Sequence, residues 1–104
     1  MIQRFRAFGK TNFTKSDSEI VLAIKYYDHI PNSPLLVKMF KQTDNGEILL
    51  TARDLGKLEP GYNYSYTKLK VDEFYKEQDL NSGFYRVEYL VRDSIVGTKL
   101  FRLL

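Results

Sequence analysis

The sequence predicts an all-β protein, an antiparallel two-layer β-sandwich of about seven strands that forms a single domain over residues 1–104. Three observations predict it. Apolar and polar residues alternate with a period of two in several short segments, turn residues separate these segments by about 8 to 12 positions, and no segment has the period of a full-length amphipathic helix. A chain of 104 residues also has the size of one ordinary domain.

The segment 79–92 contains the strand around which we expect the sheets to be built. Gly83 begins this strand, and apolar side chains then occupy every second position. The positions that share this face are Tyr85, Val87, Tyr89 and Val91. A glycine two residues before a tyrosine is similar to the tyrosine corner of immunoglobulin-like sandwiches, in which the phenol bonds to upstream backbone. We therefore expect Tyr85 to lie in a buried middle strand.

The first part of the chain provides two more strands. Residues 2–8 alternate and end at Gly9, which predicts a short edge strand, and residues 10–18 read as a polar loop. Residues 19–27 are apolar on both faces, which favours a central position. Two prolines in residues 28–34 cannot donate to a strand ladder, so this segment is predicted to be a loop.

A β-hairpin is predicted over residues 35–42 and 47–53. The turn Asp44-Asn45-Gly46 lies between two apolar runs, and Asn-Gly supplies the positive φ that a tight hairpin needs. The side chains expected on one face are Leu35, Val37 and Met39, with Ile48, Leu50 and Ala52 on the return strand.

The remaining strands are predicted over residues 62–71 and 98–104. Residues 54–61 contain two glycines and a proline and read as a surface loop, and residues 72–80 as a single helical turn. A bulge is expected within 62–71, since its last apolar residues require the core while its tyrosines suit either side. In the last strand Leu100 and Arg102 alternate with Lys99, Phe101 and Leu103.

One stripe of residues is a candidate binding surface. It consists of Tyr62, Tyr64, Tyr66, Lys68 and Lys70, which share one face of the predicted strand. Aromatic rings two residues apart could stack sugars or single-stranded bases, with lysines beside the phosphates. Tyrosine is also a favoured strand residue that covers a sheet face while its hydroxyl stays wet, and we favour this structural interpretation. The basic residues Arg4, Arg6 and Lys10 are open to the same two interpretations: a binding arm or edge-strand charges.

Composition gives no indication of catalysis, a metal or a cofactor. The chain has no cysteine, and His29 is its single histidine, so neither a zinc site nor a catalytic triad can be assembled. The acidic pairs lack the ligand loop of a calcium site. These pairs are Asp72 with Glu73 and Glu77 with Asp79. A net charge of +3 is spread along the sequence and does not indicate a nucleic-acid partner. The sequence therefore predicts a protein that is not an enzyme.

Several motifs occur in an order that is found in a known family. They are the strands 19–28 and 35–40, the hairpin Asn45-Gly46, the entry Pro60-Gly61-Tyr62-Asn63, the segment Leu80-Asn81-Ser82-Gly83-Phe84-Tyr85 and the terminal Thr98-Lys99-Leu100. Together they resemble the immunoglobulin-like module of flagellar hook-capping proteins and of the C-terminal sorting domains of proteins exported by the Bacteroidetes-type secretion system. The Pro-Asn-Pro type opening of the sorting domains has no counterpart here, a departure that bears on export and not on the fold.

The resemblance implies a bacterial, non-catalytic protein-interaction module, and in its narrower form a C-terminal secretion or sorting domain, with another protein or a second copy as its partner. Two alternatives are a structural subunit of a surface or appendage assembly and a carbohydrate- or nucleic-acid-binding domain that uses the tyrosine and lysine face. No segment has the length of a spanning helix. Secretion or the cell surface is favoured as the location, and the cytoplasm if the chain is a complete reading frame.

Overall fold

The computed structural model describes residues 5–14, 16–27, 33–71 and 82–104, in which eight strands form two facing sheets. The strands are β1 (Phe5–Phe8), β2 (Asn12–Phe13), β3 (Glu19–Tyr27), β4 (Pro34–Thr43), β5 (Gly46–Lys57), β6 (Tyr62–Lys70), β7 (Gly83–Val91) and β8 (Ser94–Leu103). One sheet has the order β1-β3-β6 and the other has the order β2-β8-β7-β4-β5. The all-β sandwich is confirmed, with eight strands instead of about seven.

Strand β7 is the middle strand of the five-stranded sheet, as the sequence predicts. Gly83 begins it with a φ of 148°, which favours glycine. Tyr85 is buried, and its ring stacks on Phe101 with 5.0 Å between the centroids. The hydrogen bond from the Tyr85 phenol to upstream backbone stays a prediction.

The core lies between the sheets and follows the predicted alternation. Strand β3 occupies the centre of its sheet, with the predicted bounds, and its buried side chains face those of β4, β7 and β8. The buried residues of these strands include Ile20, Leu22, Ile24, Tyr26, Leu35, Val37, Met39, Tyr85, Val87, Tyr89, Phe101 and Leu103. Each large side chain contributes about 1.5 to 3 kcal/mol relative to an exposed position. Because neighbouring side chains on a strand point to opposite faces, this core also decides which residues face solvent.

The predicted polar loop at 10–18 contains a short strand, which corrects the sequence interpretation. Strand β2 pairs in parallel with the end of β8, whereas all other pairs between the described strands are antiparallel. Phe13 is buried, and its ring meets Phe101 edge-on at 5.5 Å between centroids. A strand of two residues is too short to show a period of two, so the sequence pattern could not reveal it.

The hairpin of β4 and β5 is confirmed, with two differences in detail. The positive φ belongs to Gly46, at 107°, and not to Asn45. The bulge expected in 62–71 is absent from the continuous β3–β6 register, and an irregularity occurs instead in β5, where Leu50 is the extra residue between the partners of Phe40 and Met39. Leu50 packs partly against the core, whereas Ala52, beyond the bulge, is paired with Lys38 and exposed, so the predicted common face of Ile48, Leu50 and Ala52 is interrupted.

The prediction of a surface loop over 54–61 is wrong for the first half of this segment, and hydrogen bonds hold the second half in place. Strand β5 continues to Lys57, and Leu58 is buried. The Leu58 N–H donates to the Ser33 carbonyl at 2.9 Å, and the Glu59 N–H donates to the Tyr26 hydroxyl at 3.0 Å. These bonds fix the passage of the chain from the five-stranded sheet to β6 in the other sheet.

Parts of three predicted elements lie outside the described residues. They are residues 2–4 of the first strand, residues 28–32 of the proline loop with His29, and the helical turn at 72–80 with its acidic pairs. That residues 1–104 form a single domain also stays a prediction.

Two tyrosines that face the core provide a matched test of buried hydroxyl groups. The Tyr26 hydroxyl accepts a hydrogen bond from Glu59, whereas the buried Tyr89 hydroxyl makes none of good geometry. Burial raises the pKa of Tyr89, and the nearby backbone of Ala23 offsets only part of that rise. We expect Tyr26→Phe to lower the free energy of unfolding by about 1 kcal/mol and Tyr89→Phe to leave it unchanged or raise it by about 1 kcal/mol. Urea denaturation of both variants checks this, and equal losses would contradict it.

Lys99 is a second buried polar residue, and it gives a prediction about pH. Its Nζ donates to the Phe8 carbonyl at 3.0 Å, and burial lowers the pKa of Lys99. Below about pH 10 the unfolded chain then holds this proton more tightly than the folded protein does, so stability from this group increases with pH. Relative to Lys99→Met, the wild-type free energy of unfolding should rise as the pH approaches the ordinary lysine pKa of about 10.4 from below. Lys57→Met controls for the loss of one exposed lysine, and parallel pH profiles of wild type and Lys99→Met would refute the expectation.

Candidate functional site

The tyrosine stripe of β6 faces solvent. Tyr62, Tyr64 and Tyr66 are 84%, 64% and 52% exposed, and Lys68 and Lys70 are exposed on the same side. All five belong to the outer face of the three-stranded sheet. We call this outer face, with its contributions from β1 and β3, the tyrosine face.

The inner side of β6 explains why the tyrosines point outward. Large buried residues of β3 stand opposite small polar residues of β6, and these opposed pairs leave no room for tyrosine rings in the core. The pairs are Leu22 with Thr67, Ile24 with Ser65 and Tyr26 with Asn63, followed by Ile20 with Leu69. A shift of one residue would bury the tyrosines and expose Leu69, so the register decides the character of the outer face.

Rings from neighbouring strands extend the stripe. Tyr27 of β3 is paired with Tyr62, and their ring centroids are 4.2 Å apart. The rings of Tyr64 and Tyr66 lie 6.2 Å apart, with 24° between their planes. Four tyrosines therefore lie together on this face, three on the edge strand β6 and one on β3, and the rings of Tyr64 and Tyr66 are nearly parallel.

A shallow depression of about 300 Å³ lies beside Tyr64 and Tyr66. Ala23 is paired with Phe8 on one side and with Tyr66 on the other, and it is almost fully buried. Its small side chain between two aromatic rings forms the floor. The other lining residues are Val21 and Lys68. The depression is thus an apolar surface with a cation at its rim.

The described residues of the tyrosine face have an excess of positive charge. Arg6, Lys25, Lys68 and Lys70 project from its three strands, and Glu19 is the carboxylate that the described part of this face contributes. Basic residues that are spread along the sequence are thus brought onto one face by the fold.

Two of these cations lie over aromatic rings. Lys68 Nζ is 5.9 Å from the centroid of Tyr66, and Lys25 Nζ is 4.9 Å from that of Phe8. Lys68 and Glu19 are 4.0 Å apart and both are well exposed, so their ion pair adds little and neutralises little. Cation–π contacts hold the lysines along the face while leaving their charge available.

Lys10 does not extend the basic surface. Its Nζ lies 2.7 Å from Asp17, whose carboxylate also accepts the Thr14 N–H, and both contacts lower the pKa of Asp17. Arg6 lies on the tyrosine face, whereas Arg4 is outside the described residues. The basic arm suggested by the sequence is therefore not formed by Lys10.

The outer face of the five-stranded sheet has a different character. Arg86 pairs with Glu47 and Glu88 and lies 4.5 Å from the ring centroid of Phe40. These bonds raise the pKa of Arg86 and lower that of Glu47. At the centre of this face Arg86 is neutralised by two carboxylates, in contrast to Lys25 and Lys68 of the tyrosine face.

Within 5–14, 16–27, 33–71 and 82–104, no group of three or more acidic or histidine side chains could hold a metal ion. Ser16 exchanges a hydrogen bond with Thr14, and Ser94 begins β8 after a tight turn. In the same part of the chain there is no helix with the length and hydrophobicity to cross a bilayer.

Sequence reasoning found the stripe on β6 but missed its surroundings. Phe8, Val21, Ala23, Lys25 and Tyr27 join it because β6 pairs along its whole length with β3, and β3 pairs with β1. The outward side of β3 was visible as Val21, Ala23, Lys25 and Tyr27, but its apolar character suggested burial. The pairing of β3 with β6 was the missing information.

No protein-family model matches the sequence, and no relative was found among curated proteins. Solved structures with a similar fold include an alkylpurine DNA glycosylase, AlkC, of Pseudomonas fluorescens, bound to DNA containing an abasic site analogue. Its TM-score is 0.57 and its identity 14%, over 97% of this chain and 29% of that one. This chain thus spans less than a third of the glycosylase.

Two further structures are similar over most of both chains. A Niemann-Pick type C2 protein of the Japanese carpenter ant gives a TM-score of 0.56 at 11% identity, over 96% of this chain and 91% of that one. The CARDB domain of a Pyrococcus furiosus protein, in complex with di-metal ions, gives 0.50 at 10% identity, over 99% and 96%. These likenesses show the fold alone. They are consistent with an immunoglobulin-like β fold and do not bear on hook-capping proteins or sorting domains.

Proposed function

We propose that the protein is a non-catalytic binding module and that the tyrosine face holds its partner. The observation that carries this proposal is the exposure of Tyr62, Tyr64 and Tyr66 on a regular sheet. Because more than half of each of these tyrosines is exposed to solvent, they contribute little to the core. Contiguous exposed apolar surface is typical of interaction sites.

The sheet beneath the tyrosine face supports a preformed binding surface. Nine consecutive pairs join β3 to β6, and the core side of these strands is buried. Lys99 adds a bond from the five-stranded sheet to the Phe8 carbonyl, below one side of the depression. The rings are thus carried by strands rather than by loops, which limits the loss of conformational freedom on binding.

A secretion or sorting role remains a hypothesis that depends on the sequence resemblance. Such a role would specify where the binding module acts, but it does not identify which surface binds the partner. A role as a structural subunit requires self-association and is distinguished by a concentration-dependent oligomer. The tyrosine face is the surface to examine first in either case, because its exposed rings and unbalanced charge occur together.

Site-specific crosslinking tests the proposed surface without knowing the partner. We expect p-benzoylphenylalanine at position 64 to form a covalent adduct in cells that make the protein, because Tyr64 lies at the centre of the stripe. The same group at position 84 is the matched control, since Phe84 is 60% exposed on the other sheet. Adducts from position 64 and none from position 84 support the proposal. Adducts from neither position, from both equally, or from position 84 alone overturn it.

A further inference from the structure

We infer that the tyrosine face binds single-stranded nucleic acid, an inference that rests on the proposed function and names its partner. The sequence did not indicate a nucleic-acid partner, because its positive residues are spread along the chain. The fold removes that objection by placing Arg6, Lys25, Lys68 and Lys70 on one face with the exposed tyrosines. A basic surface with aromatic rings is the arrangement by which proteins hold unpaired strands.

The spacing of the rings favours a strand that is not paired. The centroids of Tyr64 and Tyr66 are 6.2 Å apart, which is close to the advance of two residues along a strand. Successive bases in a duplex strand are about 3.4 Å apart, so one base on each ring requires a backbone extended to nearly twice that spacing. A single strand can extend in this way, and its bases have free faces to stack on tyrosine.

The charges favour a polyanion over a protein partner. Tyrosine is enriched at protein interfaces, whereas lysine is depleted there. A protein partner would therefore explain the tyrosines of this face but not its lysines. Phosphates account for the lysines, because Lys68 and Lys70 continue the line of the tyrosines along β6. A neutral sugar would use the rings but not the lysines.

The shape of the face argues against duplex binding. Base edges in the major groove are read by an inserted helix or two-stranded ribbon. The tyrosine face is instead the side of a three-stranded sheet with a shallow depression beside Tyr64 and Tyr66. The depression is floored by Ala23, and this leaves space for one flat ring next to the tyrosines.

Fluorescence anisotropy with labelled oligonucleotides of about 12 nucleotides tests the inference. The probes are oligothymidylate, oligouridylate, a DNA duplex and an abasic deoxyribose-phosphate oligomer of the same length. We expect the first two to bind and the abasic oligomer to bind at least about 30-fold more weakly, since it has no bases to stack on Tyr64 and Tyr66. The DNA and RNA arms show which sugar is preferred.

The double variant Tyr64→Ala/Tyr66→Ala should weaken binding to oligothymidylate by about 30-fold or more and leave binding to the abasic oligomer unchanged. Phe84→Ala is the control for loss of an exposed ring, and it should change neither. Both variants should unfold at nearly the same temperature as wild type, as expected for exposed strand positions. No binding up to about 100 µM protein in low salt, equal binding of duplex and single strand, or indifference to the tyrosine substitutions overturns the inference.

The salt dependence of the same titration tests the lysines separately. Each phosphate contact with a single strand contributes about −0.7 to the slope of log K against log salt concentration. Lys68→Gln/Lys70→Gln should therefore make the slope shallower by about 1.4 between about 50 and 200 mM salt. Lys38→Gln/Lys57→Gln is the control, because both lysines lie on strands of the other sheet. An unchanged slope in the first double variant, or an equal change in the second, contradicts phosphate contact by this face.

The nucleic-acid test and the crosslinking test fail independently. Adducts to protein from position 64, with no oligonucleotide binding, would refute the nucleic-acid partner and keep the binding surface. Binding of a soluble neutral β-glucan that requires Tyr64 and does not depend on salt would also refute the nucleic-acid partner and keep the binding surface, with a carbohydrate as the ligand. Absence of adducts at position 64 together with absence of oligonucleotide binding would refute both proposals.

Discussion

The register between β3 and β6 is the constraint on which the rest of this structure depends. Ile24 and Tyr26 fill the space between the sheets. Their partners on β6, Ser65 and Asn63, have small side chains and therefore do not compete for this space. Since side chains alternate along a strand, the same register puts Tyr64 outside. The hydrophobic core and the exposed aromatic surface are therefore two results of a single pairing. Neither could change without the other.

Much of the fold could be predicted because the strands that build its core show their period in the sequence. Strand β3 has the predicted bounds, β7 lies in the middle of its sheet, and the β4–β5 hairpin forms at its predicted turn. Strand β2 was missed because two residues show no period, and Phe13 is buried by its pairing with β8 and not by a pattern of its own. The bulge in β5 was missed for a related reason. An extra residue is visible only against a partner strand.

The site was harder to predict than the fold, because it depends on which strands are neighbours. The tyrosines of β6 were visible as a stripe, but tyrosine suits either side of a sheet. The large buried side chains of β3 decide that the tyrosines of β6 face solvent. The charge was more misleading, since Arg6, Lys25 and Lys68 are far apart in sequence and share one face only through the β1-β3-β6 order. A modest net charge says little until the fold shows where it lies.

Cations lie over aromatic rings on both outer faces of the sandwich, but they differ in whether carboxylates neutralise them. Arg86 lies over Phe40 but is also bound by Glu47 and Glu88, so its charge is neutralised within the protein. Lys25 lies over Phe8, and Lys68 lies near Tyr66 with one distant carboxylate, so their charges remain directed to solvent. An aromatic ring positions a cation without cancelling its charge, whereas a carboxylate does both. This difference leaves the charges of Lys25 and Lys68 exposed on the face of β1, β3 and β6, whereas that of Arg86 is compensated.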